Sequence, residues 1–458
     1  MNACGILQPT IKDVLEFIKP LREDWEVRSK IIEELKDVVT SVESLRGATV
    51  EPFGSFVSNL FTRWGDLDIA IVLSNGSYIS SAGKKRKQNL LGELLRALRQ
   101  KGGWRRLQFV PNARVPILKF ESGRQSISCD ISIDNLQGRM KSNFLFWISQ
   151  IDGRFRDLVL LVKEWAKAHN INNPKSGTLN SYSLSLLVIF HFQTCVPAIL
   201  PPLKEIYPRN AVDDLAGVRI VAEERIKEIC NANISKYMSD KYRAVNRSSL
   251  SELFISFLAK FSDIRSKAAE LGICPFTGQW QEISSNMRWL PKTYALFIED
   301  PFEQPENTAR AVSAGNLEKI SEAFQTSYDR LVLASHNSSS LLSMAVYSQS
   351  QVQHKIQNMS LEGNPNYLAK KRQESRPKVL SKPKEIRPNN SKLQVQHPVQ
   401  NTRLERHPNY FTMPRQGTCP DNSTKQRQES HPSYLTTRNH ARPHHGQGQY
   451  IWRPKSDG

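Results

Sequence analysis

Residues 54–73 read GSFVSNLFTRWGDLDIAIVL. Gly54-Ser55 forms a tight turn, and ten residues later Asp66 and Asp68 open an apolar run, Ile69 to Leu73, that reads as a buried strand. Side chains at i and i+2 of a strand point the same way, so the pair offers two carboxylates to one spot at the strand's start. Like charges so close repel unless a cation sits between them. An all-oxygen site of this kind favours Mg²⁺ or Mn²⁺, ions that commonly hold phosphates as well. The Gly54-Ser55 turn can give a phosphate a backbone N–H and a hydroxyl. D-x-D by itself is more often a solvated strand end. The G-S turn at this spacing and the apolar strand behind it move the reading to a metal and a nucleotide.

The rest of the composition fits a nucleic-acid partner. The 458 residues carry a formal net charge of +19, which favours a polyanion, nucleic acid before membrane. Residues 331–458 hold 19 basic and 7 acidic residues, +12, which leaves +7 on the first 330. The six cysteines show no C-x-x-C or paired spacing, so reduced thiols in the nucleus or cytoplasm are expected and a zinc site is not. No signal peptide and no membrane-spanning apolar run is visible.

Taken in order, residues 10–42 repeat apolar positions at helical spacing, with Pro20 dividing two helices. Residues 48–140 alternate short strands with one helix, whose stripe is Leu90, Leu91, Leu94, Leu95 and Leu98. Strands are expected at 107–110, 115–121 and 126–133, completing a small mixed sheet. KKRK at 84–87 reads as the solvated start of that helix rather than as an import signal. From 141 to about 335 the pattern is mainly helical. Residues 153–172 bury Leu158, Val159, Leu161, Val162 and Trp165, and set Lys163 and Lys167 four apart on another face. Like charges at that spacing disfavour a helix unless an anion lies between them, though two solvated lysines are the plainer reading. Asn180 and Ser181 cap a helix in whose first turn Tyr182 stands, either as a core ring or as a platform for a base. His169 and His191 have no metal-ligand partner at helical spacing and read as structural.

The pattern Gly54-Ser55 followed by Asp66-Leu67-Asp68 resembles the signature of the DNA polymerase β-type nucleotidyltransferases. More narrowly it resembles their template-independent RNA members, the terminal uridylyltransferases and non-nuclear poly(A) polymerases. That family carries a third carboxylate on a later strand. Asp130, in SISCDISI at 126–133, matches it, with Asp134 at the strand's end the weaker rival. The resemblance implies that Asp66, Asp68 and Asp130 bind Mg²⁺ or Mn²⁺, and that Gly54, Ser55, Lys163, Lys167 and Ser181 hold the triphosphate. It further implies that Tyr182 stacks on the base, that Asn143 in KSNFLFW contacts the ribose 2′-hydroxyl, and that Asp300, Glu303 and Glu306, in the loop 294–312, read the base edge. A histidine that in several uridylyltransferases disfavours adenine is replaced here by Glu306.

The expected fold is α/β (α+β). A polymerase β-like sheet domain spans 48–140, and a mainly helical central, PAP-associated domain spans 141–335 and includes the helices of residues 1–47. Residues 336–458, rich in Ser, Gln, Asn, Pro and His, are expected to be a disordered basic tail. They repeat NPNYL, HPNYF and HPSYL, and eight of the ten histidines lie there, too dispersed for a metal site. The resemblance is narrowest to plant terminal uridylyltransferases of the HESO type, which tail small RNAs lacking 3′-terminal methylation. It implies transfer of UMP from UTP to RNA 3′ ends by two-metal catalysis, promoting decay, with an Argonaute-type protein as a partner and a nuclear and cytoplasmic location. Poly(A) addition is the alternative within the family, and an inactive RNA-binding scaffold the alternative outside it.

Overall fold

The computed structural model describes residues 3–73, 79, 83–123, 126–290 and 294–333, with side chains from residue 7 onward. The expected disordered tail at 336–458 lies outside the described residues.

Helices α1 (Ala3–Ile18) and α2 (Arg22–Ser41) are separated at Pro20, and the Asp24 carboxylate caps the second by accepting the Leu21 N–H at 2.8 Å. Strands β1 (Thr49–Phe53) and β2 (Leu67–Val72) follow, then α3 (Lys84–Lys101) and β3 (Trp104–Val110), β4 (Ile117–Ser122) and β5 (Ser128–Ile133). The sheet runs β1-β2-β5-β4-β3, with β2 and β5 parallel and the other pairs antiparallel. Its edges are blunted by sequence. Pro52 lies in β1, and β3 carries an irregularity between Arg105 and Gln108 beside exposed arginines.

Alternation divides the sheet's faces. Leu67, Ile69, Ile71, Leu118, Phe120, Ile131 and Ile133 point to one side, where they pack with Ile31, Leu35 and Val38 of α2 and Leu90, Leu91, Leu94 and Leu98 of α3. Asp68, Lys119 and Asp130 are in register on the other side. Here α2 departs from the expected grouping of residues 1–47 with the helical domain. Its apolar stripe covers the sheet, while Leu7, Ile11, Leu15 and Ile18 of α1 join the helical core. Two stripes of the same composition could not announce which core each enters.

Beyond the sheet come α4 (Leu136–Ser149), α5 (Gly153–Ala168), α6 (Ser181–Gln193), α7 (Arg219–Ser239), α8 (Leu250–Phe261), a two-stranded ribbon of β6 (Leu271–Cys274) and β7 (Gln279–Glu282), and α9 (Ala314–Leu333). Side chains start these helices: Asn135 caps α4, Asp152 caps α5 and Asn180 caps α6, while Ser249 and Glu252 form a reciprocal capping box on α8. Helix α6 is apolar all round and buried from Ser183 to Gln193, so it runs through the middle of the helical core. Among the described residues no helix is long and apolar enough to cross a membrane.

One buried cation fixes the approach to β2. Arg28 of α2, wholly buried, donates to the carbonyls of Asp24, Arg63 and Gly65 at 2.9, 3.0 and 2.6 Å, and lies 4.7 Å from the Phe61 ring centroid. The Arg63–Gly65 segment leads directly into Asp66. Replacing Arg28 by Leu strands those carbonyls and is expected to lower stability by about 2–4 kcal/mol. Urea unfolding of the two proteins checks it, and an unchanged midpoint would mean that Arg28 does not hold the segment.

Candidate active site

Asp68 and Asp130 are Cα partners on adjacent parallel strands, so their side chains leave one face of the sheet together. Asp66 stands one residue before β2, exposed at its mouth. Burial, then the charges of Asp130 and Asp66, push Asp68 up to about 7, while Asp66, exposed as a residue, is raised by the partial loss of water around its carboxyl and then by Asp130. The Lys119 ammonium holds one oxygen of Asp130, while its other oxygen, Oδ1, is buried with no hydrogen-bond partner. An orphaned carboxylate oxygen beside two mutually repelling acids is the donor set a hard divalent cation satisfies. Among the described residues no three Asp, Glu, His or Cys side chains are gathered closely enough to hold a metal as they stand. Asp134 serves the sheet instead. Its carboxylate accepts the Leu73 N–H at 3.0 Å and its own N–H donates to Ile71, closing the end of the strand.

The Gly-Ser turn is the first turn of a four-residue helix, Gly54–Val57. Gly54 has φ +68°, and a Cβ on it would collide with Asp68 Oδ2. Only glycine lets the turn approach the carboxylate so closely. The Gly54 N–H is already donated to Ser142 Oγ at 2.7 Å, so it is not free for a phosphate as the sequence suggested. The half-buried Ser55 makes no side-chain hydrogen bond with the described residues.

The two lysines of α5 differ. Lys163 is buried, donates to the Leu60 carbonyl at 2.7 Å, and is lowered to about 8 by burial first and by Lys167 next. It is therefore neither a solvated lysine nor an open clamp, because the Leu60 carbonyl has claimed it. Lys167 is exposed, with its ammonium 2.6 Å from Glu164. At the start of α6, Ser181 Oγ pairs with the Asn172 amide at 3.3 Å.

Tyr182 donates its hydroxyl to Asp300 Oδ1 at 3.0 Å, and burial with that carboxylate pushes its pKa well up. Asp300 is buried and fully engaged, since Oδ1 also accepts the Phe302 N–H and Oδ2 lies 2.6 Å from Lys141 Nζ. Lys141 also pairs with Glu303, which Arg114 reaches from the β3–β4 hairpin at 3.3 Å. Burial opposes ionisation of Glu303, but Lys141 and Arg114 outweigh it and hold its pKa down. Glu306 turns to Arg310 at 3.2 Å. The loop is stapled by Asn307, whose amide bonds Leu296, Ile298 and Ala309, and by Phe302, stacked on Phe144 at 3.9 Å.

Lys141 of α4 reaches the Tyr182–Asp300–Glu303 group. Asn143, two positions on, is rotated about 200° around the helix from it, and its side chain makes no hydrogen bond with the described residues. Ser142, Lys141 and Arg114 were missed in the sequence because each acts through a partner far away in the chain, and Lys119 because its pairing with Asp130 depends on the register of two neighbouring strands.

Residues 7–150 match the family model "Poly(A) RNA polymerase, mitochondrial-like, central palm domain". Protein HESO1 of Arabidopsis thaliana is 67% identical over 332 residues, 72% of this chain and 65% of that one. Poly(A) RNA polymerase gld-2 homolog A of Drosophila melanogaster is 31% identical over 61% of this chain and 20% of its own length. The chain thus spans less than two thirds of either relative. A solved cytoplasmic RNA terminal U-transferase has the same fold, with a TM-score of 0.54 at 23% identity over 71% of this chain and 93% of that one.

Gly54→Ala is expected to leave the protein folded while displacing Asp68 and, under the nucleotidyl transfer proposed below, to slow single-turnover addition on the order of 100-fold; an unchanged rate would remove the close approach from the site. Lys163 gives a pH signature. Its folded pKa of about 8 lies below that of a free lysine, so between the two the unfolded chain binds more protons and stability rises with pH. The wild-type stability minus that of Lys163→Met is expected to climb on the order of 3 kcal/mol from pH 8 to 10.4. Denaturant titrations without metal or nucleotide check it, and a flat difference contradicts it.

Proposed function

The chain resembles the template-independent RNA nucleotidyltransferases, the plant HESO-type terminal uridylyltransferases among them, and on that premise we propose that it transfers UMP from UTP to RNA 3′ ends. The observation that carries the reading is the Asp68–Asp130 register, with Asp66 at its mouth and Asp130 Oδ1 buried without a partner.

In this reaction the RNA 3′-oxygen attacks the α-phosphorus of UTP. A new P–O bond forms as the bond to the β-phosphate oxygen breaks, the hydroxyl proton passes to solvent, and pyrophosphate leaves. Asp66, Asp68 and Asp130 would hold Mg²⁺ or Mn²⁺, which would supply positive charge at the reacting oxygens and ease loss of the hydroxyl proton. The chain's residues position the rest. Ser55, Ser181 and Lys167, released from Glu164, bind the triphosphate, and Lys163 adds its buried charge behind the carboxylates. Tyr182 stacks under the base. No side chain serves as nucleophile, in keeping with Cys129, Cys230 and Cys274, whose thiols burial pushes well up.

The proposed substrates are small RNAs lacking 3′-terminal methylation, tailed for decay in the nucleus and cytoplasm in company with an Argonaute-type protein. The basic residues of 331–458 would add a salt-sensitive attraction to RNA. Poly(A) addition is the second reading, favoured by the gld-2 relative's name. Primer extension with the purified chain, labelled RNA and each nucleoside triphosphate separately tests all readings: uridine tails are expected, adenosine tails would support the second, and no extension would leave a scaffold. Asp66→Ala with Asp68→Ala is expected to abolish addition in a protein that remains folded by circular dichroism. Undiminished tailing by that variant would defeat the catalytic assignment.

A further inference from the structure

Lys141 lies over the Tyr182 ring, so a base stacked on that ring would have the ammonium beside it. Its ammonium stands 5.6 Å from the Tyr182 ring centroid, 2.6 Å from Asp300 Oδ2 and against Glu303. Its side chain is 16% exposed, between carboxylates 3% and 14% exposed, so the group is almost dry. Both oxygens of Asp300 have partners, Tyr182 and Phe302 on Oδ1 and Lys141 on Oδ2. Glu303 is held by Lys141 and Arg114, and Glu306 faces Arg310. Each loop acid is thus paired with a cation, although a carboxylate so paired keeps lone pairs that can still accept. An ammonium has three N–H donors and no acceptor. Two point at Asp300 and Glu303, which leaves one.

A carboxylate accepts from the N3–H of uracil and from the amino group of adenine alike, so acids alone separate the two bases poorly. A donor-only group separates them well. Uracil has carbonyl oxygens on both sides of N3–H. Adenine and cytosine carry an amino group where uracil carries O4, and there donor would meet donor beside a desolvated positive charge.

We propose that Lys141 is the specificity-determining residue, its remaining N–H donating to uracil O4 while Asp300 and Glu303 fix the ammonium in place. This rests on the uridylyl-transfer reading and supplies the discrimination that Glu306 does not.

The test measures kcat/KM for UTP, CTP and ATP, and KM for RNA, with the full chain and its Lys141→Met variant. Efficiency with UTP is expected to fall on the order of 10–100-fold, with that for ATP and CTP raised as the donor–donor conflict is removed, and KM for RNA unmoved. Equal losses with all three triphosphates would reduce Lys141 to a brace for the loop and overturn the proposal. Should the stranded carboxylates keep Lys141→Met from folding, Lys141→Gln retains amide donors for them and adds a carbonyl that accepts from an amino group. That variant is expected to gain ATP and CTP relative to UTP, and an unaltered ratio overturns the proposal equally. The preference of the wild-type protein tests uridylyl transfer itself, and the change between wild type and variant tests Lys141, so the two ideas fail separately.

Discussion

Two carboxylates set side by side on adjacent parallel strands are the constraint around which the structure is arranged. Asp68 and Asp130 cannot move apart, because the residues flanking them, Leu67, Ile69, Cys129 and Ile131, are buried in the sheet's core. The apolar side of each strand therefore holds in place the repulsion on its polar side. Positive charge gathers in response: Lys119 directly on Asp130, with Lys163 and Lys167 near enough to act on the acids. The Asp130 oxygen left without a partner is the remainder that these cations do not satisfy.

The loop at 294–312 solves a similar problem differently. Asp300 and Glu303 are brought close by a loop whose backbone Asn307 staples and whose Phe302 is clamped on Phe144. Here the compensating cation, Lys141, comes from α4, and Arg114 crosses from the sheet hairpin. Arg114 on Glu303 and Ser142 on Gly54 join the sheet region to the helical region through polar groups. Polar bridges of this kind can exchange partners with a triphosphate or a base more readily than a packed core can open. Lys167, paired only with a neighbour on its own helix, is the readiest to exchange.

Groups that the chemistry does not use are built into the helical core. His191 is pushed down to about 3 by burial, and its Nε2 faces Cys195 at 3.8 Å and Ser256 at 3.3 Å. His169 bonds the Trp165 carbonyl. Both are packing residues, as their lack of ligand spacing suggested.

Features written in short-range spacing were legible from the chain alone: the alternation of β2 and β5, the pair Asp66 and Asp68, the cap at Asn180, and the apolar stripes of α3 and α5. Period and capping are local physics, so a single strand or helix carries them in full. Asp130 was legible as the middle of an alternating strand, although its pairing with Asp68 was not. Packing between distant elements settled which core α2 enters, that Lys163 commits its charge to Leu60, that Ser142 takes the Gly54 N–H, and that α4 offers Lys141 to the loop. Each of these depends on the rotation of one element against another far away in the chain. Two residues' difference along a helix reverses the direction of a side chain, and no local spacing records which way it faces.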